Sequence, residues 1–275
     1  MEPDISVLGA SGKSGRRVAA ALRADGHPVR PASRTAAVRF DWQDDDTWPA
    51  VTEGAGALYL VAPEDPTPLP SFVELVAEAG VTRVVLLSGR GVETWNGRFG
   101  HAMAAAEDVV RGSDLSWTVL RANNFMQNFT EDVWHEPMLT GRLALPTGGV
   151  AEPFIDLDDL AAVAAHVLTT DRYAGRVLDL SGPAALTYDD AVAIIAAAAG
   201  RPIRFEEISP SAYADELRAG GLPEEWVAEL GGMFDVTREG AVADPTTAVE
   251  DVLGRPPRAF ADWVAHVAPT GVWAS

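Results

Sequence analysis

The stretch GASGKSG, at residues 9–15, decides the fold of this chain. The residues before it, Asp4–Gly9, form an apolar run typical of a β-strand, and Lys13–Ala24 after it has apolar residues at helical spacing. Glycines spaced GxxGxxG between a strand and a helix permit a tight turn, and they let backbone N–H groups approach a pyrophosphate at the positive end of the helix. The stretch therefore predicts a dinucleotide-binding unit.

A P-loop for nucleoside triphosphates is the alternative interpretation of the same residues. GKS, at residues 12–14, matches the end of the motif GxxxxGK[ST]. That motif requires a glycine five residues before Gly12, where the chain has Val7. The apolar run that ends at Leu87 leads into Ser88, so the acidic strand typical of P-loop proteins is also missing. A dinucleotide is therefore the expected ligand.

Short apolar runs alternate with helical patterns through the first half of the chain. Strands are predicted at Asp4–Gly9, Val29–Ser33, Val38–Trp42, Ala57–Ala62, Val84–Leu87 and Trp117–Arg121, and helices at Lys13–Ala24, Pro70–Ala79 and Ala102–Arg111. This alternation predicts a parallel sheet covered on both faces, a Rossmann-type doubly wound α/β fold. Because proline removes a hydrogen bond between strands, Pro31 predicts a bulge or a short strand at its position.

The second half of the chain has a different character. Helices are predicted at Asp158–Leu168 and Thr187–Ala199, and strands at Arg176–Leu180 and Ile203–Ile208. We interpret residues 1–125 as an NADP-binding Rossmann domain, with the strand near residues 176–181 returning to its sheet. Residues 126–275 are interpreted as mainly a substrate-binding region, a smaller α/β C-terminal domain.

Composition excludes several classes of function. The chain has 275 residues, with 21 Lys and Arg against 40 Asp and Glu, and its net charge of −19 disfavours binding to nucleic acids and anionic membranes. It has no cysteine, so disulfides, thiolate nucleophiles and cysteine-ligated metals are excluded. The histidines lack metal-ligand spacing, so we expect no metal.

The location of the protein is also an expectation from the sequence. Met1–Asp4 lacks the basic start of a signal peptide, and the longest apolar stretch, around Ala191–Ala199, is too short to span a bilayer. We expect a cytoplasmic protein, a monomer or homodimer, with a small-molecule substrate and without nucleic-acid or membrane partners.

Basic residues are concentrated around the glycine stretch. Residues 12–39 contain seven basic residues and one acidic residue, and they include Lys13, the single lysine of the chain. At the end of the second predicted strand, Ser33 and Arg34 occupy the position where NAD-binding chains have a carboxylate that holds the ribose. An arginine there fits a 2′-phosphate, so NADP is the expected cofactor, with NAD as the alternative.

The catalytic pair of ordinary short-chain dehydrogenases is missing. Ser88 occupies the expected serine position, but Tyr-x-x-x-Lys cannot be present because the single lysine is Lys13. Phe99 and Met103 occupy the nearest matching positions. A ketone that accepts hydride becomes a basic alkoxide and needs an acid, whereas an iminium, a quinone or a conjugated enone does not need one from the enzyme. The missing pair favours these acceptors, or a protein that binds the cofactor without turnover.

Residues 118–129, TVLRANNFMQNF, carry the most specific resemblance in the chain. They resemble the pattern T-x-L-R-x-x-x-F-M-x-N of the NmrA-like atypical short-chain dehydrogenases. Further matches resemble the branch of the ergot-alkaloid reductases, namely Phe40–Trp42, Thr47–Trp48, Leu58–Pro63, Phe154–Asp156, Asp159–Ala161, Ser181–Pro183 and Leu253–Pro257. The chain departs from many relatives at Met103 and at Asn123–Asn124, both on the substrate side of the cofactor, so the substrate cannot be transferred from them.

The resemblance implies that the nicotinamide lies near Pro63, Ser88 and Asn123–Phe125. With the glycine stretch, the predicted cofactor-binding residues are Gly9, Ser11, Gly12, Lys13, Ser14, Gly15, Ser33, Arg34, Asp41, Trp42, Val61, Ala62, Pro63, Ser88, Gly89, Asn123 and Phe125. The candidates for polarising the acceptor are Ser88, His101, Asn123 and Asn124. The substrate pocket is predicted to contain Phe99, Met103, Phe125, Phe129 and Trp134.

The sequence thus predicts an NAD(P)H-dependent reductase of a conjugated small molecule. The acceptor is expected to be a quinone, enone or iminium, aromatic or polycyclic, of the kind modified in secondary metabolism. Two alternatives remain open at this point: a regulatory protein that senses NADP without catalysis, and a redox-neutral tailoring enzyme on the same fold.

Overall fold

The first strand of the chain lies inside a seven-stranded, all-parallel sheet in the computed structural model, which describes residues 3–274. The strands of the chain are β1 (Asp4–Leu8), β2 (Val29–Ser33), β3 (Val38–Arg39), β4 (Ala55–Val61), β5 (Arg83–Gly89), β6 (Ser116–Ala122), β7 (Arg142–Leu145), β8 (Arg176–Leu180) and β9 (Arg204–Glu207). The sheet order is β3-β2-β1-β4-β5-β6-β8. The order reverses between β1 and β4, and in such sheets ligands bind at the crevice beside that switch point.

Helices cover the sheet and build the C-terminal part. They are α1 (Lys13–Ala24), α2 (Pro49–Thr52), α3 (Leu69–Glu78), α4 (His101–Arg111), α5 (Asn128–Glu131), α6 (His135–Thr140), α7 (Leu157–Leu168), α8 (Tyr188–Ala199), α9 (Pro210–Ala219), α10 (Glu224–Arg238), α11 (Ala248–Leu253) and α12 (Phe260–Val267). No helix in residues 3–274 is long and apolar enough to cross a membrane.

The two faces of the sheet carry separate apolar cores. Val18 and Leu22 of α1 pack with α7 on one face, and Phe72 of α3 packs with Val110 of α4 on the other. In parallel sheets the helices that connect the strands pack on both faces, so both faces are buried. The predicted Rossmann-type fold is confirmed.

The strand that contains Pro31 is short and has no bulge. β2 pairs with β1 in continuous register, with Pro31 opposite Val7. On the other side β3 pairs only with Ala32 and Ser33, so Pro31 has no strand beside it there. Because β3 does not pair with Pro31, the missing N–H group of this proline removes no hydrogen bond between β2 and β3.

The C-terminal part has a third apolar core and a small sheet of its own. β7 and β9 pair in parallel, and β7 is a strand that the sequence did not predict. β8 pairs instead with β6 of the main sheet, where the sequence analysis expected a returning strand. A strand that follows residue 125 therefore belongs to the main sheet. The division into two domains at residue 125 stays an interpretation.

Candidate active site

The glycine loop between β1 and α1 has the geometry of an anion cradle. Gly9 adopts a left-handed backbone with φ of 62°. A Cβ atom on Gly15 would lie 2.3 Å from the Gly9 carbonyl oxygen, and one on Gly12 would lie 3.1 Å from the same atom. Ser11 is exposed at the tip of the loop. The turn is therefore so tight that side chains at Gly12 and Gly15 would collide with its backbone. Without these side chains, the backbone of the loop is open to a ligand.

The first N–H groups of α1 lie at this cradle, and no side chain caps them. The N-cap of the helix, Gly12, provides no side-chain hydrogen bond, and the first turn has no acidic residue. The N–H groups at the start of a helix carry partial positive charge, and they bind anions when no side chain caps them. The predicted pyrophosphate site thus fits the residues present.

The basic residues near the loop are less available than their sequence density predicts. Lys13 forms an ion pair with Asp132 and donates to Asn128 Oδ1 at 2.8 Å. Arg16 and Arg17 both pair with Glu131. Burial acts to raise the pKa of Glu131, but hydrogen bonds from the two guanidinium groups outweigh it and lower that pKa. Glu131 is therefore ionised and neutralises much of the charge beside the loop.

Ion pairs continue along the predicted basic segment. Arg17 also pairs with Asp158, Arg30 with Asp4, and Arg39 with Asp44. The concentration of basic residues at 12–39 is therefore largely neutralised, because acidic residues from other parts of the chain pair with it. Arg34, at the end of β2, is exposed and has no ion pair within the described part of the chain.

A cleft of about 550 Å³ and a second of about 470 Å³ open beside the carboxyl ends of the central strands. We call the smaller one the cofactor cleft because the glycine loop lines it. Of the predicted residues, it is lined by Gly9, Gly12, Lys13, Ser14, Val61, Ser88, Gly89, Phe99, Met103, Asn123, Asn124 and Phe125. The sheet thus brings together side chains from β1, β4, β5 and β6 at one edge.

Ser88, at the end of β5, does not point a free hydroxyl into the cofactor cleft. Its Oγ donates to Glu107 Oε1 at 2.7 Å. Glu107 is buried on α4, and Arg121 donates to both of its oxygens at 2.9 and 2.7 Å. The Ser88 proton is committed to this buried carboxylate, so the predicted polarising role of Ser88 does not fit the geometry.

Asn123 and Asn124, at the end of β6, are held by a buried carboxylate. Glu152 Oε1 accepts from Asn123 Nδ2 at 3.3 Å, and both Glu152 oxygens accept from Asn124 Nδ2 at 3.0 Å. Asn123 Nδ2 also donates to the Val242 carbonyl, and its Oδ1 accepts from Arg90 at 2.9 Å. Both amide hydrogens of Asn123 are therefore used within the protein, against its predicted polarising role. The Asn124 amide is held by Glu152, and its polarising role stays a prediction.

Tyr188 completes the partners of Glu152. Its hydroxyl donates to Glu152 Oε2 at 3.0 Å. Burial, with the adjacent Glu152 charge, raises the pKa of Tyr188 well above its usual value, so the phenol stays protonated. Asn124 must present its Oδ1 on the side away from Glu152, because a carboxylate accepts hydrogen bonds only from the NH₂ group.

An aromatic pair forms another side of the cofactor cleft. Trp95 and Phe99 stack with ring centroids 3.9 Å apart. A Cβ atom on Gly89 would lie 2.2 Å from the Trp95 ring, so glycine is needed at the end of β5. The predicted pocket position of Phe99 agrees with this arrangement.

The larger cavity, which we call the outer chamber, adjoins the cofactor cleft. Both are lined by Val61, Leu87 and Met103. Ala62, Pro63 and His101, three of the predicted site residues, line the outer chamber and not the cleft. His101 begins α4, is exposed, and makes no hydrogen bond within residues 3–274. Unlike Ser88 and Asn123, His101 therefore has side-chain polar atoms that no described residue engages.

Phe129 and Trp134 do not line either cavity. Both are buried in the third core, where their ring centroids lie 4.9 Å apart and Phe154 packs beside them. Their predicted role in the substrate pocket is corrected accordingly: the aromatic packing of the C-terminal part encloses them.

Asp41 and Trp42 lie in a turn after β3, near the edge of the sheet. The Asp41 carbonyl accepts from Trp48 Nε1 at 3.0 Å, and Trp42 packs edge-on against Phe72. Ser33 is buried and its Oγ accepts from the Thr35 N–H. These residues lie in the region of the exposed Arg34, where an adenosine ribose is expected.

Arg90, Trp95 and Glu152 are among the lining residues of the cofactor cleft that the sequence analysis did not identify. Arg90 and Trp95 follow β5 closely, and their position after a parallel strand was a usable signal. Glu152 lies in a loop distant from both, and no local pattern marks it. Within residues 3–274 no three His, Asp or Glu side chains are grouped as a metal site.

Comparison with known proteins places this geometry in a family. The family model described as NAD(P)H-binding matches residues 9–171. The chain belongs to this NAD(P)H-binding family. Oxidoreductase YesF of Bacillus subtilis (strain 168) is 33% identical over 98% of this chain and 96% of its own length. Festuclavine synthase II of Penicillium roqueforti (strain FM164) is 30% identical over 98% of this chain and 99% of its own.

A solved structure agrees with the fold. The NADPH-dependent quinone oxidoreductase QOR2 of Escherichia coli, in complex with NADPH, superposes with a TM-score of 0.82 at 20% identity, covering 96% of this chain and 99% of its own. The resemblance to NmrA-like atypical short-chain dehydrogenases and their ergot-alkaloid branch is thereby confirmed. The chain is an NAD(P)H-dependent oxidoreductase with a Rossmann-type sheet.

Proposed function

We propose that this protein is an NADPH-dependent reductase of a conjugated small molecule that needs no proton from the residues at the strand ends. The acceptor is a quinone, an enone or an iminium with a flat ring system. The family relationship supports the cofactor, and the names of relatives, which include a festuclavine synthase and a quinone oxidoreductase, support this range of acceptors.

The glycine loop and Arg34 provide the contacts that the cofactor requires. The uncapped start of α1 holds the pyrophosphate, and the exposed, unpaired guanidinium of Arg34 holds the 2′-phosphate at the end of β2. When bound, NADPH supplies a hydride. Phe125 and the Trp95–Phe99 pair confine the reacting face and exclude water from it.

One observation carries the proposal: the Ser88 hydroxyl and the Asn123 amide, at the ends of β5 and β6, already donate their hydrogens within the protein. Ser88 donates to Glu107, and Asn123 and Asn124 donate to Glu152. A plain ketone would require an acid at this position to protonate the alkoxide. An iminium becomes a neutral amine without a proton, and a quinone becomes a phenolate that water or exposed His101 protonates.

The test is the oxidation of NADPH in the presence of a panel of acceptors, followed by absorbance at 340 nm. We expect turnover with a naphthoquinone or a cyclic iminium, and at least tenfold slower turnover with a simple ketone of similar size. The formation of one reduced product per NADPH excludes a redox-neutral reaction. Tight binding of both NADPH and NADP⁺ without turnover of any acceptor would favour the sensing protein instead.

The preference for NADPH has its own variant. Arg34→Asp removes the positive charge expected at the 2′-phosphate, so the Kd for NADPH rises at least tenfold while the Kd for NADH changes less than threefold. Arg23→Asp makes the same charge change at the other end of α1 and is the matched control. Equal losses for NADPH and NADH would show that Arg34 does not contact the 2′-phosphate.

A further inference from the structure

The outer chamber differs from the cofactor cleft in its charges, and this difference bears on the substrate. It has a volume of about 550 Å³ and lies between the end of β4, the start of α4 and the start of α10. Val61, Leu87 and Met103 line both cavities, so the chamber lies directly beside the cleft. The inference drawn from it rests on the proposed reductase function.

The floor and sides of the outer chamber are apolar and open. Trp226 on α10 is 41% exposed and Met103 on α4 is 39% exposed, although side chains of this size are mostly buried in the rest of the chain. Leu87 and Pro63 also line the chamber. An indole and a thioether that face an open cavity provide a flat surface for an aromatic ligand.

Four carboxylates surround this apolar surface: Glu64, Asp65, Glu225 and Glu229. In the described residues none of them forms an ion pair, and no lysine or arginine lines the chamber. Hydrogen bonds from the Thr67 side chain and backbone lower the pKa of Asp65. Glu229 accepts from the Gly100 N–H at 2.6 Å. Within residues 3–274, the four carboxylates therefore have no lysine or arginine partner.

This arrangement contrasts with the carboxylates near the glycine loop. There Glu131 and Asp132 each hold a basic side chain. A cluster of like charges that converges on an apolar, ring-sized cavity raises the local concentration of cations and repels anions. The indole face of Trp226 attracts a cation in the same way.

We propose that the outer chamber selects substrates by charge, and that the substrate is an aromatic molecule with a protonated or quaternary amine separate from the double bond that is reduced. The amine lies among Glu64, Glu225 and the Trp226 ring. The aromatic part extends past Met103 into the cofactor cleft. Neutral acceptors react more slowly, and acceptors that carry a sulfonate or phosphate react most slowly.

The experiment uses three naphthoquinones of the same ring system, which carry a trimethylammonium, a neutral or a sulfonate substituent on an equal linker. In the wild-type protein with saturating NADPH, kcat/KM is expected to fall about tenfold from the cationic to the neutral acceptor, and further to the anionic one. The double variant Glu64→Gln, Glu225→Gln is expected to remove most of this preference. Salt at 0.5 M is expected to weaken it in the wild type.

The matched control removes two carboxylates from other faces of the molecule. Glu53→Gln with Asp262→Asn changes the net charge equally, and both residues are exposed and distant from the chamber lining. This variant is expected to keep the wild-type charge preference. Loss of the preference in both double variants would attribute it to net charge and overturn the assignment to the chamber.

Binding is measured separately from turnover with phenyltrimethylammonium, which accepts no hydride. Isothermal titration is expected to show saturable binding to the wild type, with at least fivefold weaker binding to the Glu64→Gln, Glu225→Gln variant and to Trp226→Leu. Cation binding without turnover of any quinone, enone or iminium would support the chamber and reject the reductase function. Turnover with equal kcat/KM for the three quinones would support the reductase function and overturn the inference.

Discussion

The two ends of the cofactor cleft differ in which atoms form their surface: backbone atoms at one end and side-chain atoms at the other. At the glycine loop the backbone forms the surface, and the N–H groups at the start of α1 are left without side-chain partners. At the end of β6, side chains form the surface, and Glu152 accepts the hydrogens of Asn123 and Asn124. The first end can therefore hold an anion, while the Asn123 hydrogens at the second end are used within the protein. In the proposed reductase, the proton comes from water or from His101.

The largest effect is expected from a change to the backbone-built end. Gly15→Ala places a Cβ atom 2.3 Å from the Gly9 carbonyl, which must shift and distort the cradle. We expect the Kd for NADPH, measured by fluorescence titration, to rise at least a hundredfold, or the protein to lose several kcal/mol of stability.

Gly231→Ala is the control for this glycine. Gly231 lies in α10, and a Cβ atom there meets nothing within 4 Å. Alanine in a helix interior is favourable by about 1 kcal/mol relative to glycine, so this variant should bind NADPH normally and unfold at slightly higher temperature. Normal binding by Gly15→Ala would mean that the loop does not hold the cofactor.

A smaller loss is expected when the side-chain-built end is changed. Glu152→Gln replaces one carboxylate oxygen with an NH₂ group that faces the donors of Asn124 and Tyr188. A charged acceptor contributes about 1.5–3 kcal/mol per hydrogen bond, so the free energy of unfolding in urea should fall by about 2–4 kcal/mol. Exposed Glu53→Gln should leave it unchanged within about 0.5 kcal/mol. An unchanged stability for Glu152→Gln would show that the Glu152 contacts are not formed in solution.

A moderate gain in affinity is expected where an acidic side chain lies beside the glycine loop. Asp132 pairs with Lys13 and lines the cofactor cleft. Asp132→Asn frees the lysine and removes a negative charge near the pyrophosphate, so the Kd for NADPH should fall about threefold at low salt. Asp262→Asn, on α12, should have no effect. A weaker affinity in Asp132→Asn would indicate that Asp132 positions Lys13 for the cofactor.

The smallest effect concerns the pH dependence of stability. The lowered pKa of Glu131 means that its ionised form is favoured in the folded chain, so it stabilises the fold above its ordinary pKa of 4.5. That contribution is lost as the pH falls below 4.5 and through the folded pKa. The melting temperatures of wild type and Glu131→Gln should therefore differ slightly at pH 7 and approach each other as the pH falls below 4.5. A constant difference between pH 7 and pH 3 would contradict the ion pairs with Arg16 and Arg17.

The contrast between the two ends also explains what could be predicted from the sequence. The helix Lys13–Ala24 was predicted to the residue because glycine spacing and apolar periodicity are local signals. β7 is only four residues long and pairs with β9 far along the chain, so nothing local marked it. The parallel, doubly wound sheet followed from the alternation of strands and helices, but its strand order and the pairing of β7 did not.

For the site residues, too, local features were predictable from the sequence and long-range contacts were not. The glycine loop could be located from the sequence because glycine spacing between a strand and a helix has a defined structural meaning, whereas the contact of Arg34 with a 2′-phosphate stays a prediction. The burial of Phe129 and Trp134 depends on aromatic packing between distant helices, and the role of Glu152 depends on donors from β6 and α8. Such three-dimensional contacts leave no periodic pattern in the chain.

The single lysine has a practical consequence for experiments on this protein. Reductive methylation with ¹³C-formaldehyde modifies only amines, and in this chain these are the α-amine and Lys13. The ε-methyl groups of Lys13 would give one NMR signal from inside the cofactor cleft, 5.5 Å from the Phe125 ring centroid. The ring current makes that signal sensitive to movement of the Lys13 side chain. One labelling reaction thus provides a site-specific reporter of cofactor binding without any mutation.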